Sequence, residues 1–151
     1  MTGTLETLLA IEEIKRLKAR YFRLMDTKDW VGFAEIFTED ALFDVHDALE
    51  ERPDPAAAKP LIRGRAAFVD YASSGMAPIT SAHYGHMPEI DILSDDEATG
   101  IWALDDILRP PAGGPFTLFR GHGHYHERYS RADGQWRIAS LKITRLMVEM
   151  T

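Results

Sequence analysis

The stretch ITSAHYGHMPEIDILSDDEATGIWALDDIL, residues 79–108, decides the fold. Ile79 to Leu93 and Ala98 to Leu108 read as two long strands, punctuated by Ser94-Asp95-Asp96. So short a connection implies antiparallel pairing. The pattern continues downstream, where Phe116 to Arg131 and Gln135 to Val148 read as two further strands. Pro110 to Pro115 and Ala132-Asp133-Gly134 separate them. Period two sorts the side chains. His83, Gly85 and Met87 share one face of the first strand, and Tyr84, His86 and Pro88 the other. Trp102, Leu104 and Asp106 share a face of the second. In the last strand Trp136 and Ile138 have even parity, whereas Leu141, Ile143 and Arg145 have odd parity. A bulge near Ser140 reconciles them and bends the strand, as a curling sheet requires.

Before Pro78 the periodicity is helical. Leu8, Ile11, Ile14, Leu17, Tyr21 and Leu24 form an apolar stripe over Leu5 to Thr27. Glu12, Glu13, Lys15, Arg16, Lys18 and Arg20 read as its solvated face. A short second helix is expected from Asp29, a plausible N-cap, through Trp30, Phe33, Ile36 and Phe37. Ala41 to His46 reads as a strand, Asp47 to Pro60 as a Pro-rich loop, and Arg65 to Ser73 as a third helix. Helices first and a long antiparallel sheet afterwards make an α+β layout in which the sheet wraps the helices.

Composition bounds the function. A length of 151 residues suits one domain with a sizeable core. A net charge of −7 and the lack of a Lys/Arg cluster argue against nucleic acid as a partner. There is no cysteine, which excludes disulfides, thiol catalysis and thiolate metal sites. Met1 to Ala10 lacks the pattern of a signal peptide, and no apolar run is long enough to span a bilayer. A cytoplasmic location is the expectation.

Four groups could carry chemistry. Tyr21 and Asp26 lie five residues apart on the first helix, a spacing that separates them around its axis. They share a pocket only if the helix end is irregular or the pocket wraps it. Otherwise Asp26 is a solvated helix-end acid. His83 is the best candidate for a general base near neutral pH, and an aspartate on its other nitrogen would fix its tautomer. Its bland alternative is a satisfied core histidine. Asp106, in an apolar row, requires a partner, which Arg145 could supply. A one-residue register error would instead turn Asp105 inward. Finally, His122, His124 and His126 alternate and share one face. They read either as imidazoles around a metal or as a solvent- or interface-facing row with Gly121, Gly123 and Tyr125 turned to the core.

Taken in order, Ile14 to Arg23, Asp26, Trp30, Gly85-His86, Pro88-Glu89-Ile90, Ala98-Thr99-Gly100, Trp102, Leu104, Asp106, Tyr129, Asp133-Gly134, Trp136 and Arg145 form a pattern. On these residues the chain resembles the SnoaL-like branch of the NTF2 superfamily, from about Ile11 to Val148. Within it the chain is most similar to the scytalone dehydratase and bile acid 7α-dehydratase group. The resemblance implies a cone-shaped fold and an active site of Tyr21, Asp26, His83, Asp106 and Arg145, with Asp26 and His83 as a dyad. Met25, Val45, Met87, Trp102 and Leu104 are the expected substrate-binding positions. The sequence departs from the pattern where Met25 and Val45 replace tyrosines and where Leu108 falls near a second histidine. The substrate is therefore not inherited.

The expectation is a dehydratase or isomerase that uses no cofactor and acts by general acid–base catalysis on a cyclic hydrophobic substrate of steroid, terpenoid or polyketide type. In that scheme His83 removes a proton, Tyr21 donates a hydrogen bond, and Asp106, kept protonated, serves as general acid. The alternatives are a binding module and a metalloenzyme built on the histidine row. The resemblance implies a homotrimer, with a dimer as the alternative.

Overall fold

The computed structural model describes residues 3–50, 54, 56 and 61–151. In chain order the elements are α1 (Thr4–Asp26), α2 (Trp30–Glu35), β1 (Phe37–Asp44), β2 (Ile62–Arg63) and α3 (Arg65–Met76). They continue with β3 (Thr80–Ile92), β4 (Glu97–Arg109), β5 (Phe119–Ala132) and β6 (Gln135–Met150). The strands form one sheet in the order β2-β1-β6-β5-β4-β3. β3 to β6 form an antiparallel meander, as expected, and β1 joins β6 in parallel. The result is the α+β layout, with helices packed against a curved, unclosed six-stranded sheet.

Local chemistry sets the joints. Asp29 caps α2 by accepting from the Gly32 amide at 2.9 Å, which stabilises a helix end by about 1 kcal/mol. Asp133 and Gly134 both take positive φ, 52° and 73°, in the turn between β5 and β6. Two successive left-handed residues match the twist of a tight hairpin. The second helix is shorter than expected, because Phe37 pairs with Ile138 and already belongs to β1. β2 was not anticipated, and α3 runs on to Met76. Most of the expected loop Asp47 to Pro60 lies outside the described residues.

Bulges curve the sheet. Arg128 pairs with Ser140 and Tyr129 with Ile138, so Ala139 is an extra residue in β6. The parity break expected near Ser140 is there. A second β6 bulge falls at Leu146, between the pairs His122–Met147 and Gly123–Arg145. In β3, His86 and Met87 together face the single residue Ala103. This bulge corrects the expectation for Met87. It does not share the inner face with His83 and stands 91% exposed.

The inner face of the sheet, α1 and the short helices enclose the core. Phe33, Phe37, Phe43 and Phe68 form its aromatic centre, with Phe43 and Phe68 stacked at 3.7 Å. The expected apolar stripe of α1 is buried at Ile14, Leu17, Tyr21 and Leu24 and is widened by Ala10 and Met25, whereas Leu8 is exposed. Lys18, expected on the solvated face, is fully buried. It stands four residues after Ile14 and three before Tyr21, which is the inward side of the helix.

Candidate active site

The C-terminal end of α1 meets the start of β3. Asp26, the last residue of α1, reaches across to that strand. One carboxylate oxygen accepts from the Ser81 hydroxyl at 2.8 Å and lies 2.6 Å from His83 Nδ1. The other accepts from the His83 backbone amide at 2.8 Å. Ser81 in turn accepts from Lys28 Nζ at 2.9 Å. Lys28 has φ 62°, a left-handed conformation that turns the chain out of α1. Burial pushes the Asp26 carboxyl up, but the His83 side chain and backbone and the Ser81 hydroxyl outweigh it, and the net shift is downward. The carboxylate on Nδ1 fixes the ring's orientation and turns Nε2 toward Asp106.

His83 is buried, and its Nε2 lies 3.9 Å from Asp106 Oδ2. Asp106 faces inward, as its row predicts, and Asp105 turns outward to His86. Both Asp106 oxygens accept from Arg145, at 2.8 and 2.9 Å, in a bidentate pair. Arg145 also donates from Nε to the Ala48 carbonyl at 2.7 Å. Both oxygens of Asp106 are thus engaged as acceptors by the guanidinium. Gly121 makes room for the pair. A Cβ there would stand 2.4 Å from Arg145 Nη1 and 2.6 Å from Asp106 Oδ1.

Tyr21 is buried, and its ring packs edge-to-face against that of Tyr125 with 5.7 Å between their centres. Burial, and then the charges of Glu127, Asp106 and Asp26, hold the Tyr21 hydroxyl firmly protonated. Tyr125 is held protonated in the same way by burial and by its neighbours Tyr21, Asp106 and Glu127. Thus Asp26, His83, Asp106 and Arg145 form one continuous run of contacts, and Tyr21 lies buried within electrostatic reach of Asp106 and Asp26. The Asp26 side chain reaches past the helix end to the strand.

Of the expected substrate-binding positions, Met25, Val45, Trp102 and Leu104 are buried. Trp102 donates its indole N–H to the Tyr129 hydroxyl at 2.8 Å. Met87 and Trp102 border a surface depression between α1 and β3. The histidine row faces away from the core, with Gly121, Gly123 and Tyr125 turned inward. His126 Nε2 meets the Thr144 hydroxyl at 2.9 Å. Among the described residues no three His, Cys, Asp or Glu side chains converge as metal ligands. An open cleft of about 630 Å³ between α1, α2 and the β5–β6 turn lies away from His83 and is lined by Arg16, Arg20, Arg23 and Arg137. It lacks any histidine–carboxylate pair, so the chemistry is assigned to the buried cluster.

Sequence reasoning missed Ser81, Lys28, Tyr125 and the buried pair of Lys18 and Glu127. Ser81 had a signal, since it precedes His83 by two and shares its face.

The α+β cone thus holds a histidine between two carboxylates. The chain belongs to the SnoaL-like domain family, whose pattern matches residues 6–142, and its fold is NTF2-like. It is 26% identical over 136 residues to the probable cyclase FGR4 of Gibberella zeae, covering 88% of this chain and 89% of that one. It superposes on a scytalone dehydratase-like protein of Novosphingobium aromaticivorans with a TM-score of 0.82 and 20% identity, covering 99% and 92%. The hexachlorocyclohexane dehydrochlorinase LinA-type3 of Novosphingobium barchaimii gives a TM-score of 0.80 at 18% identity, covering 99% and 94%. These two structural likenesses establish the fold. No described helix is long and apolar enough to cross a membrane.

Proposed function

We propose that the protein is a lyase or isomerase that uses no cofactor, dehydrating or isomerising a cyclic, mostly apolar substrate through the Asp26–His83 dyad. The 2.6 Å contact of Asp26 with His83 Nδ1 carries the reading, because it frees Nε2 to take a proton inside the cone. In the dehydration, a C–H bond next to a conjugated carbonyl breaks and its proton passes to Nε2. The electron pair moves into an enolate, which Tyr21 stabilises by hydrogen bonding. The C–O bond of the hydroxyl then breaks, and the leaving oxygen takes the proton back from the imidazolium to depart as water. Asp26 and the Asp106–Arg145 pair flank the imidazolium while it is charged. Positioned acid–base groups of this kind accelerate reactions by about 10²–10⁴-fold. The similarity to proteins named as a cyclase, a dehydratase and a dehydrochlorinase supports elimination or ring chemistry.

The test is a mass-spectrometric screen of wild type and His83→Ala against hydroxylated enones of steroid, terpenoid and polyketide type. Loss of one water with wild type alone is the expected outcome. Equal turnover by folded His83→Ala would sink the mechanism.

A further inference from the structure

Among the described residues, Lys28 and Asp133 are the non-glycine residues with positive φ. An aspartate tolerates that conformation and is common in it. A lysine is poorly suited to it, because its Cβ crowds the following carbonyl oxygen. Lys28 is placed there by the way α1 ends. Beyond the cap residue Thr27, the Lys28 amide donates to the Met25 carbonyl at 3.2 Å and the Asp29 amide to the Leu24 carbonyl at 3.0 Å. This is the Schellman arrangement, whose left-handed position glycine usually fills. Asp29 then caps α2, so the turn is pinned on both sides of Lys28.

What glycine could not supply there is the ammonium. Lys28 Nζ donates to Ser81 Oγ at 2.9 Å, and Ser81 Oγ donates to Asp26 Oδ1 at 2.8 Å. That same carboxylate oxygen lies 2.6 Å from His83 Nδ1. An ammonium can only donate, and a hydroxyl has one proton. Lys28 therefore sets the sense of the chain, since Ser81 accepts from the lysine and its one proton goes to Asp26. With the His83 amide on Oδ2, the carboxylate is held at both oxygens. Ser81 and His83 share a face of β3, where they pair with Leu108 and Asp106 of β4. The Ser81 hydroxyl is also among the groups that hold the Asp26 carboxyl down. A strongly hydrated ammonium set on a neutral hydroxyl, from a strained backbone, contributes little to stability.

We propose that Lys28 and Ser81 are positioning residues that lock the Asp26 carboxylate onto His83, and that Lys28 keeps its left-handed backbone for that purpose. This rests on the Asp26–His83 dyad proposed above and adds the groups that orient it. Asp26 is the last residue of α1, and a carboxylate at a helix end is free to swing toward water about its side-chain torsions. The hydroxyl and the ammonium behind it remove that freedom before any substrate arrives, which is how a fixed dipole or charge lowers a barrier. The consequence is a trade between fold and site. A glycine at position 28 relieves the backbone and loosens the dyad.

The test reads the dyad without a substrate. The intact protein is labelled with nitrogen-15 at histidine, and the His83 Nδ1 proton is assigned by its loss in His83→Gln. Its exchange with water is then followed by NMR. Lys28→Gly is expected to keep a Tm no lower than wild type while exchange of that proton becomes about tenfold faster. Ser81→Ala should show the same acceleration and stands in should Lys28→Gly not fold. The double variant should exchange no faster than Ser81→Ala alone, because both changes break one chain. Unchanged exchange in folded Lys28→Gly would make the lysine merely structural and overturn the proposal. So would multiplied effects in the double variant, or a wild type with no Nδ1 proton facing Asp26. The outcome is separable from that of the enone screen. Unchanged exchange beside an inactive His83→Ala sinks this inference alone, whereas faster exchange beside a fully active His83→Ala sinks the dehydration mechanism alone.

Discussion

Gly121→Ala tests the site through its tightest steric point. The backbone at Gly121 carries no positive φ, so alanine meets no conformational penalty there. The added methyl carbon would fall 2.4 Å from Arg145 Nη1, 2.6 Å from Asp106 Oδ1 and 2.7 Å from Arg145 Cζ. Normal contact requires these atoms to retreat by roughly 1 Å. A retreat of that size from 2.8 and 2.9 Å takes both hydrogen bonds beyond useful range. Deleting one partner of a buried ion pair costs about 3–5 kcal/mol, and a pair that is loosened but still charged loses about 2–4. Replacing glycine in a strand returns about 0.5–1 kcal/mol, so the net cost is about 1–3.5 kcal/mol. For a chain of this size that lowers Tm by roughly 2–14 °C. Thermal unfolding by circular dichroism measures it, with Gly75→Ala as control. Nothing lies within 4 Å of a Cβ at Gly75 in α3, so that variant should gain about 0.5–1 kcal/mol. The decisive comparison repeats Gly121→Ala in an Asp106→Asn/Arg145→Met background, where the loss should shrink by more than half. An undiminished loss there, or an unchanged Tm in the wild-type background, refutes the reasoning.

Two further outcomes follow from the buried charges. The pKa of Asp26 is lowered in the fold below the ordinary aspartate value of 3.8, so its stabilisation is complete above that pH and fades as pH falls through the folded value. The stability gap between wild type and Asp26→Asn, measured by urea unfolding, should therefore hold from neutrality to about pH 4 and close below it. A gap that stays constant into strong acid would show that Asp26 is not held as an anion. Lys18→Met alone strands the Glu127 carboxylate and should cost about 3–5 kcal/mol, whereas Lys18→Met/Glu127→Gln should recover most of the loss. Equal stability of the single and double variants would remove the ion pair as the cause.

The meander was legible because each of its strands carries apolar residues at period two between turn residues that fix the connections. The bulge near Ser140 was legible for the same reason, since Ile138 and Leu141 cannot both face inward without an extra residue. The β3 bulge left no such mark. Its cause is tertiary, because a Cβ at Gly85 would stand 2.7 Å from the Phe22 ring where the strand hugs α1. Past that point every side chain changes face, and Met87 is carried off the inner face. Among the site residues, parity put Asp106 and Arg145 on apolar rows and offered their pairing as one reading, which the bidentate contact bears out. Asp26 and His83 were not readable from spacing, because their meeting depends on how the end of α1 docks on β3. Family resemblance, not periodicity, joined them.

Lys18 is the instructive miss, because the pattern did contain it. It follows Ile14 by four residues and precedes Tyr21 by three and Met25 by seven, all of them buried. Helical spacing placed it inside, and its charge argued for outside. Charge is usually the better guide, since a buried ammonium needs a partner that the local sequence does not show. Here that partner is Glu127, 109 residues away on a strand whose inward parity it shares with Tyr125 and Tyr129. Each half of the pair contradicts its own charge for the sake of its own periodicity. Two such contradictions of opposite sign in one chain are evidence for each other. A lysine on an apolar helix stripe should thus be matched against every acid on an inward strand row before it is turned to solvent.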